Sequence, residues 1–314
     1  MSPDHLPFPE RKKEPELLPA EHPLRRNAPI NQPIYARFYQ WRLKIQPFSR
    51  GGFEAKATLV DRNALNALIN ANQTRGPRPK PKEREEDKVM ADRIKAAQRA
   101  ARKVRQLCIE IRADRLLTLT SRGLLTDLHK AATTWKRFMR LLDRAQAKFL
   151  YVAVPEFHAK GDHIHLHVAL SGFARVELLR RCWQIALGGK GDERGPDALG
   201  NVDIKYRHGR NANPAKRSVG IARYLSKYIT KDFERHYQFN RRRYWSPKGV
   251  KLPEQRGEWL EAEKIEDALQ ELYERFDPGI MSRVFSDSLF ISQEQWPMIF
   301  FRWIPDGSDL DIPF

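Results

Sequence analysis

Apolar and polar positions follow two different rhythms between residues 108 and 232. Residues 148–155 (KFLYVAVP) and 163–170 (HIHLHVAL) are short β-type runs that predict neighbouring strands joined by a turn through Gly161-Asp162. Residues 116–120 (LLTLT) and 202–206 predict two further strands. Apolar residues at steps of three and four predict a helix over 125–145, with Leu128, Ala132, Trp135, Phe138, Leu141 and Leu142 on its inner side. Residues 176–187 and 218–232 predict two more, with a Gly-rich loop over 188–200. The order strand, helix, strand, strand, helix, strand, helix predicts the α+β class, a central antiparallel sheet with helices against one face.

The flanks read differently. Residues 1–32 interleave Pro with charge, which predicts a disordered basic leader. Residues 33–107 form an N-terminal accessory segment in which Ile34, Tyr35, Phe38, Tyr39, Trp41 and Leu43 are possible anchors. Within it, the prolines after Gly76 forbid a helix, and 83–106 predicts a highly charged helix with a thin stripe of Met90, Ile94, Ala97 and Ala101. Residues 108–235 make up the regular domain, and 236–314 a C-terminal accessory region. That region contains an amphipathic helix over 258–276 and apolar runs at 289–291 and 298–303. Both extensions are expected to be irregular around the sheet.

Composition narrows the function. The 314 residues contain 57 Lys and Arg against 39 Asp and Glu, a formal charge of +18. This surplus favours a polyanionic partner, because each neutralised phosphate releases counterions. Cys108 and Cys182 have no CxxC spacing, which predicts neither a disulfide framework nor a zinc site and points to a reducing compartment, the cytoplasm of a bacterial host. No run approaches 18 apolar residues, and the first thirty positions have no apolar signal core.

Two constellations carry chemistry. Strict alternation puts His163, His165 and His167 on one side of a strand and Ile164, Leu166, Val168 and Leu170 on the other. Imidazoles at i, i+2 and i+4 suit a divalent cation when an oxygen ligand is near, and Glu156 ends the preceding strand. On the last helix of the domain, Tyr224 and Tyr228 are i and i+4, with Lys227 beside them and Lys231 a turn further on. A phenol is a poor nucleophile at neutral pH unless cationic charge and a polarised electrophile assist it. Lys205, Arg207, Arg210, Lys216, Arg217 and Arg223 precede or enter that helix. Arg241, Arg242 and Arg243, next to Tyr244 and Trp245, mix cations that track phosphates with rings that stack on unpaired bases.

Taken in order, LLTLT, YVAVPEFHAKGDHIHLHVAL and YLSKYITK resemble the three motifs of the HUH endonuclease superfamily, and within it the rolling-circle replication initiators of plasmids and single-stranded DNA phages. The resemblance implies a ferredoxin/RRM-like antiparallel core and a Mg²⁺ or Mn²⁺ held by two histidines and Glu156. The metal pair is His163/His165 or His165/His167; the second is followed by three apolar residues, as the family pattern prefers. It further implies that Tyr224 or Tyr228 cuts single-stranded DNA at an origin, forming a 5′ phosphotyrosine and a free 3′ hydroxyl for a polymerase. With no Walker-type GxxxxGK[ST] in the chain, unwinding would fall to a host helicase. Relaxases and single-strand transposases of the same superfamily share this chemistry, although relaxases usually place the tyrosine before the histidines. A metal-dependent hydrolase or cupin-like oxygenase on the same histidines, or a non-catalytic nucleic-acid binder, are the readings outside it.

Overall fold

The computed structural model describes residues 39–62, 65–66, 86–158, 163–205, 213–235, 243–292 and 297–305. The Pro-rich leader, the proline-interrupted linker, the Gly161-Asp162 turn, and residues 206–212 and 236–242 of the cationic stretches lie outside the described residues. In chain order the elements are β1 (Tyr39–Pro47), β2 (Phe53–Asp61), α1 (Glu86–Glu110), β3 (Arg115–Ser121), α2 (Leu128–Arg144), β4 (Leu150–Phe157), β5 (Ile164–Ser171) and α3 (Val176–Leu187). They continue with β6 (Gly200–Lys205), α4 (Pro214–Arg235), β7 (Arg256–Trp259), α5 (Ile265–Arg275), α6 (Pro278–Asp287), β8 (Phe290–Ser292) and β9 (Met298–Trp303). The class is α+β, with two antiparallel sheets and, among the described residues, six α-helices. Described residues within 1–45, 54–80 and 256–303 form one compact unit, and those within 46–53, 81–255 and 304–314 form another.

The larger unit contains the sheet β4-β5-β3-β6, every pair antiparallel. On one face Leu117, Leu119, Ile164, Leu166, Val168 and Leu170 pack on Trp135 and Phe138 of α2 and on Leu179 and Trp183 of α3. Complete burial of each such side chain contributes roughly 1.5–3 kcal/mol. The other face is also covered. Leu116, Val152, Val154 and Ala169 pack on Val104, Leu107 and Cys108 of α1 and on Ile221, Leu225 and Ile229 of α4. Helices therefore lie on both faces rather than the one expected. The reason is compositional: β4 and the last half of β5 are apolar at every position, and a strand without alternation is buried on both sides.

Local chemistry sets the boundaries. Asp127 caps α2, its Oδ1 accepting from the backbone N–H of His129 and Lys130 at 2.8 and 2.9 Å. Helix α4 begins at Pro214, earlier than the expected 218, because Asn213 Oδ1 accepts from Ala215 N at 2.8 Å and Pro214 occupies the first helical position. Gly200 lets β6 approach β3 closely: a Cβ there would sit 2.1 Å from the Thr120 carbonyl oxygen, which already accepts from Trp183 Nε1 at 2.7 Å. Helix α1 is solvated only in part. Met90 and Ile94 are exposed, while Val104, Leu107 and Cys108 are buried, and burial pushes the Cys108 thiol far up.

The smaller unit contains the sheet β7-β1-β2-β9-β8. Trp41, Leu43, Ala55, Ala57, Ile299 and Phe301 are buried in it, with Phe276 meeting Phe301 edge to face at 5.3 Å. Where the pattern predicted one helix over 258–276, Arg256–Trp259 instead pairs with β1, Arg42 opposite Trp259, and α5 starts only at Ile265. Tertiary pairing overrides helical periodicity here. The C-terminal apolar runs are strands β8 and β9, so this region is ordered sheet rather than an irregular extension.

Candidate active site

Strand register brings the predicted acid and imidazoles together. Glu156 of β4 lies opposite His165 of β5, and Thr118 of β3 lies opposite His167. Side chains directly opposite share a face, so Glu156, His165, His167 and Thr118 point toward the same side of the sheet. His167 is 5 % exposed. Its Nε2 stands 2.7 Å from Glu156 Oε2 and its Nδ1 3.3 Å from Thr118 Oγ1. A neutral ring satisfies both contacts if the Thr118 hydroxyl donates to Nδ1 and Nε2–H donates to the carboxylate.

Helix α4 supplies the phenols from above. The Tyr228 ring stacks on His167 with centroids 4.4 Å apart and planes 11° from parallel. Tyr224 meets the same imidazole at 5.7 Å and 88°, and the two phenols lie 4.9 Å apart. One helical turn separates the tyrosines, which places both on the side of α4 that carries the buried Ile221 and Leu225 to the sheet. Both are half-buried.

A second imidazole group sits at the start of β5. The rings of His158 and His163 stack at 4.4 Å, and His165 lies 4.9 Å from His163 and 5.5 Å from His158. Burial first, and then the neighbouring imidazoles, hold the His165 pKa below its ordinary value, with Glu156 acting in the opposite direction. His158 was not singled out in the sequence, though it continues the alternation of Glu156 on the same strand.

The cations divide. Lys205 is exposed, and its Nζ lies 3.0 Å from Asp203 Oδ2. The hydrogen bond and charge of Asp203 raise its pKa, and Tyr224 adds to the shift, so Lys205 stands within electrostatic reach of that phenol. Lys216, Arg223 and Lys227 are exposed, and Arg243 is half-buried. Arg217, expected on the cationic surface, is instead buried, where it partly offsets the upward, burial-driven shift of the Asp114 carboxyl. Trp245, expected beside the arginines as a base-stacking ring, packs on Trp135 at 6.3 Å and exchanges backbone hydrogen bonds with Ala153 of β4 at 2.8 and 2.9 Å. The side chain of Lys231, together with Arg207, Arg210, Arg241 and Arg242, lies outside the described residues.

Among the described residues, no group of three or more His, Cys, Asp or Glu side chains is already arranged to hold a metal ion, and no helix is long and apolar enough to cross a membrane. The donor chemistry of His165, His167 and Glu156 nonetheless fits a divalent cation, since two imidazoles and a carboxylate share one face. No curated protein and no solved structure matches this chain. Residues 114–233 match the family model of the replication-associated protein ORF2, and this stretch, which holds every histidine and tyrosine of the cluster, belongs to that family, consistent with a rolling-circle replication initiator.

Proposed function

We propose that the chain nicks and rejoins single-stranded DNA at a replication origin through a tyrosine nucleophile. The observation that supports this most is the contiguity of phenol, imidazole and carboxylate: Tyr228 stacked on His167, and His167 hydrogen-bonded to Glu156. The family's role in replication makes DNA the partner. The phenolic oxygen of Tyr224 or Tyr228 attacks phosphorus, and the bond from phosphorus to the 3′ oxygen breaks. The phenol's proton passes to solvent, and the departing oxygen takes up one proton to become a 3′ hydroxyl. One phosphodiester replaces another, so the step runs in both directions without ATP. Two tyrosines allow a second cut while the first end is still held.

His165, His167 and Glu156 would hold the cation. His163 is the less favoured ligand because it stacks with His158, away from the Glu156 and His167 contact. The hydroxyl of Thr118 can accept as well as donate, so His167 can present Nε2 either as a donor to Glu156 or as a lone pair to metal. Mixed nitrogen and oxygen donors favour Mn²⁺ over Mg²⁺. The chemistry supplied when the cation is bound is polarisation of the scissile phosphate and neutralisation of charge at five-coordinate phosphorus. Lys205 adds a fixed positive charge near Tyr224. The test is incubation with an array of labelled single strands and Mn²⁺ followed by denaturing gels. The wild type is expected to yield a protein-linked strand, and Tyr224→Phe with Tyr228→Phe none; an adduct that survives the double substitution overturns the assignment.

A further inference from the structure

Two depressions of about 540 and 340 Å³ meet at Arg50, Leu150 and Pro247, forming one groove around the start of β4. We propose that this groove holds unpaired nucleotides of the strand on which the tyrosines act, with bases against Phe149 and Tyr151 and phosphates on Arg50, Lys148 and Lys251; the inference rests on the nicking reading above for the identity of that strand.

The wall is aromatic and held in place. Phe149 and Tyr151 lie on the same side of the chain, 6.5 Å apart edge to face, and Tyr151 abuts Trp135 at 5.1 Å. Gly172 takes φ +113°, and a Cβ there would come within 3.2 Å of Phe149 Cβ, so the backbone backs the ring closely. Rings fixed in this way stack on bases of any sequence. The cationic rim is also built. Arg112 donates to the Arg50 carbonyl at 2.5 Å and to the Pro305 carbonyl at 2.8 Å, which anchors the turn bearing Arg50. Of the two acids that line the groove, Glu110 already accepts from Ser49 N at 3.1 Å; Asp143 is exposed at the margin. Arg50, Lys148 and Lys251 are all exposed, so the surplus of charge facing solvent is positive. An apolar small molecule finds no matching surface here, whereas a base with its phosphate does.

The position suits a strand handled at the tyrosines. Leu150 and Glu156 are six residues apart on β4, roughly 20 Å at the rise of a strand. One rigid element thus carries the groove at its start and the site acid near its end.

The test uses the full chain bearing Tyr224→Phe and Tyr228→Phe, so that binding is read without covalent capture. Anisotropy of a fluorescent mixed-sequence single strand is followed across a salt series, with and without Arg50→Glu, Lys148→Glu and Lys251→Glu together. The triple variant is expected to bind about tenfold more weakly, and loss of three phosphate contacts should flatten the salt dependence by about 2 in log–log slope. The corresponding Gln variants guard against misfolding and should shift both readings in the same direction by less. A strand containing 5-bromodeoxyuridine should photo-crosslink to the peptide containing Phe149 and Tyr151. Unchanged affinity and slope in both variants, or crosslinks confined to other peptides, overturn the groove even if the tyrosines prove reactive. Weakened binding with correct crosslinks upholds it even if no adduct ever forms.

Discussion

The two faces of strand β5 differ by one residue of register and by everything in their chemistry. Ile164, Leu166 and Val168 are fully buried against α2 and α3 and touch only apolar neighbours. His165 and His167, on the reverse side, meet Glu156, Thr118 and the phenols of α4. The first face holds the sheet together, and the second uses the rigidity so obtained to keep polar groups at fixed separations. Period-two alternation makes the division possible, because substitutions on one side leave the other side's geometry in place.

That division can be broken experimentally. The largest effect is expected on the polar face: Tyr224→Phe with Tyr228→Phe should lower adduct formation by about three orders of magnitude or more, with the folding midpoint nearly unmoved. Comparable losses of stability and adduct would mean that the phenols serve packing. Next, Glu156→Gln should cost about tenfold to a hundredfold in adduct formation and demand more Mn²⁺. In the same series, added Mn²⁺ should raise the melting temperature of the wild type and leave that of His165→Ala with His167→Ala where it was. Leu166→Ala, on the apolar face, should remove about 2–5 kcal/mol of stability by leaving a cavity, measured in denaturant, while the fraction that remains folded forms adduct at the wild-type rate. The smallest change is Thr118→Val, which deletes one hydrogen bond to His167 and should slow adduct formation several-fold, equivalent to about 0.5–1.5 kcal/mol.

Much of the larger unit was legible because its strands and helices follow one another closely and keep their periods. HIHLHVAL announces its two faces, and the tyrosine pair announces one side of a helix. The start of α4 was also in view, as Asn213-Pro214 is a cap followed by a first-turn proline, yet apolar spacing alone pointed to a later start. The second sheet was harder to see. Trp41, Leu43 and Ile45 alternate with Gln40, Arg42 and Lys44, but the partner of Arg42 is Trp259, far along the chain, and no local pattern names it. Charge was misleading for a related reason: Arg217 looks like its exposed neighbours in the sequence, and only the helix phase turns it inward toward Asp114.

The central claim is that a phenol of α4 attacks DNA beside His167, and the chain provides its own means of locating the bond. Trypsin cuts after Arg223, Lys227 and Lys231, so Tyr224 and Tyr228 fall in separate four-residue peptides, YLSK and YITK. Wild-type protein is incubated with single-stranded DNA and Mn²⁺, digested with nuclease and trypsin, and the nucleotide-bearing peptides are read by mass spectrometry. The account predicts a nucleotide 5′ phosphate on Tyr224, on Tyr228, or on both in different molecules. A nucleotide linked to any other residue, or cleaved DNA with no linked peptide, would contradict it.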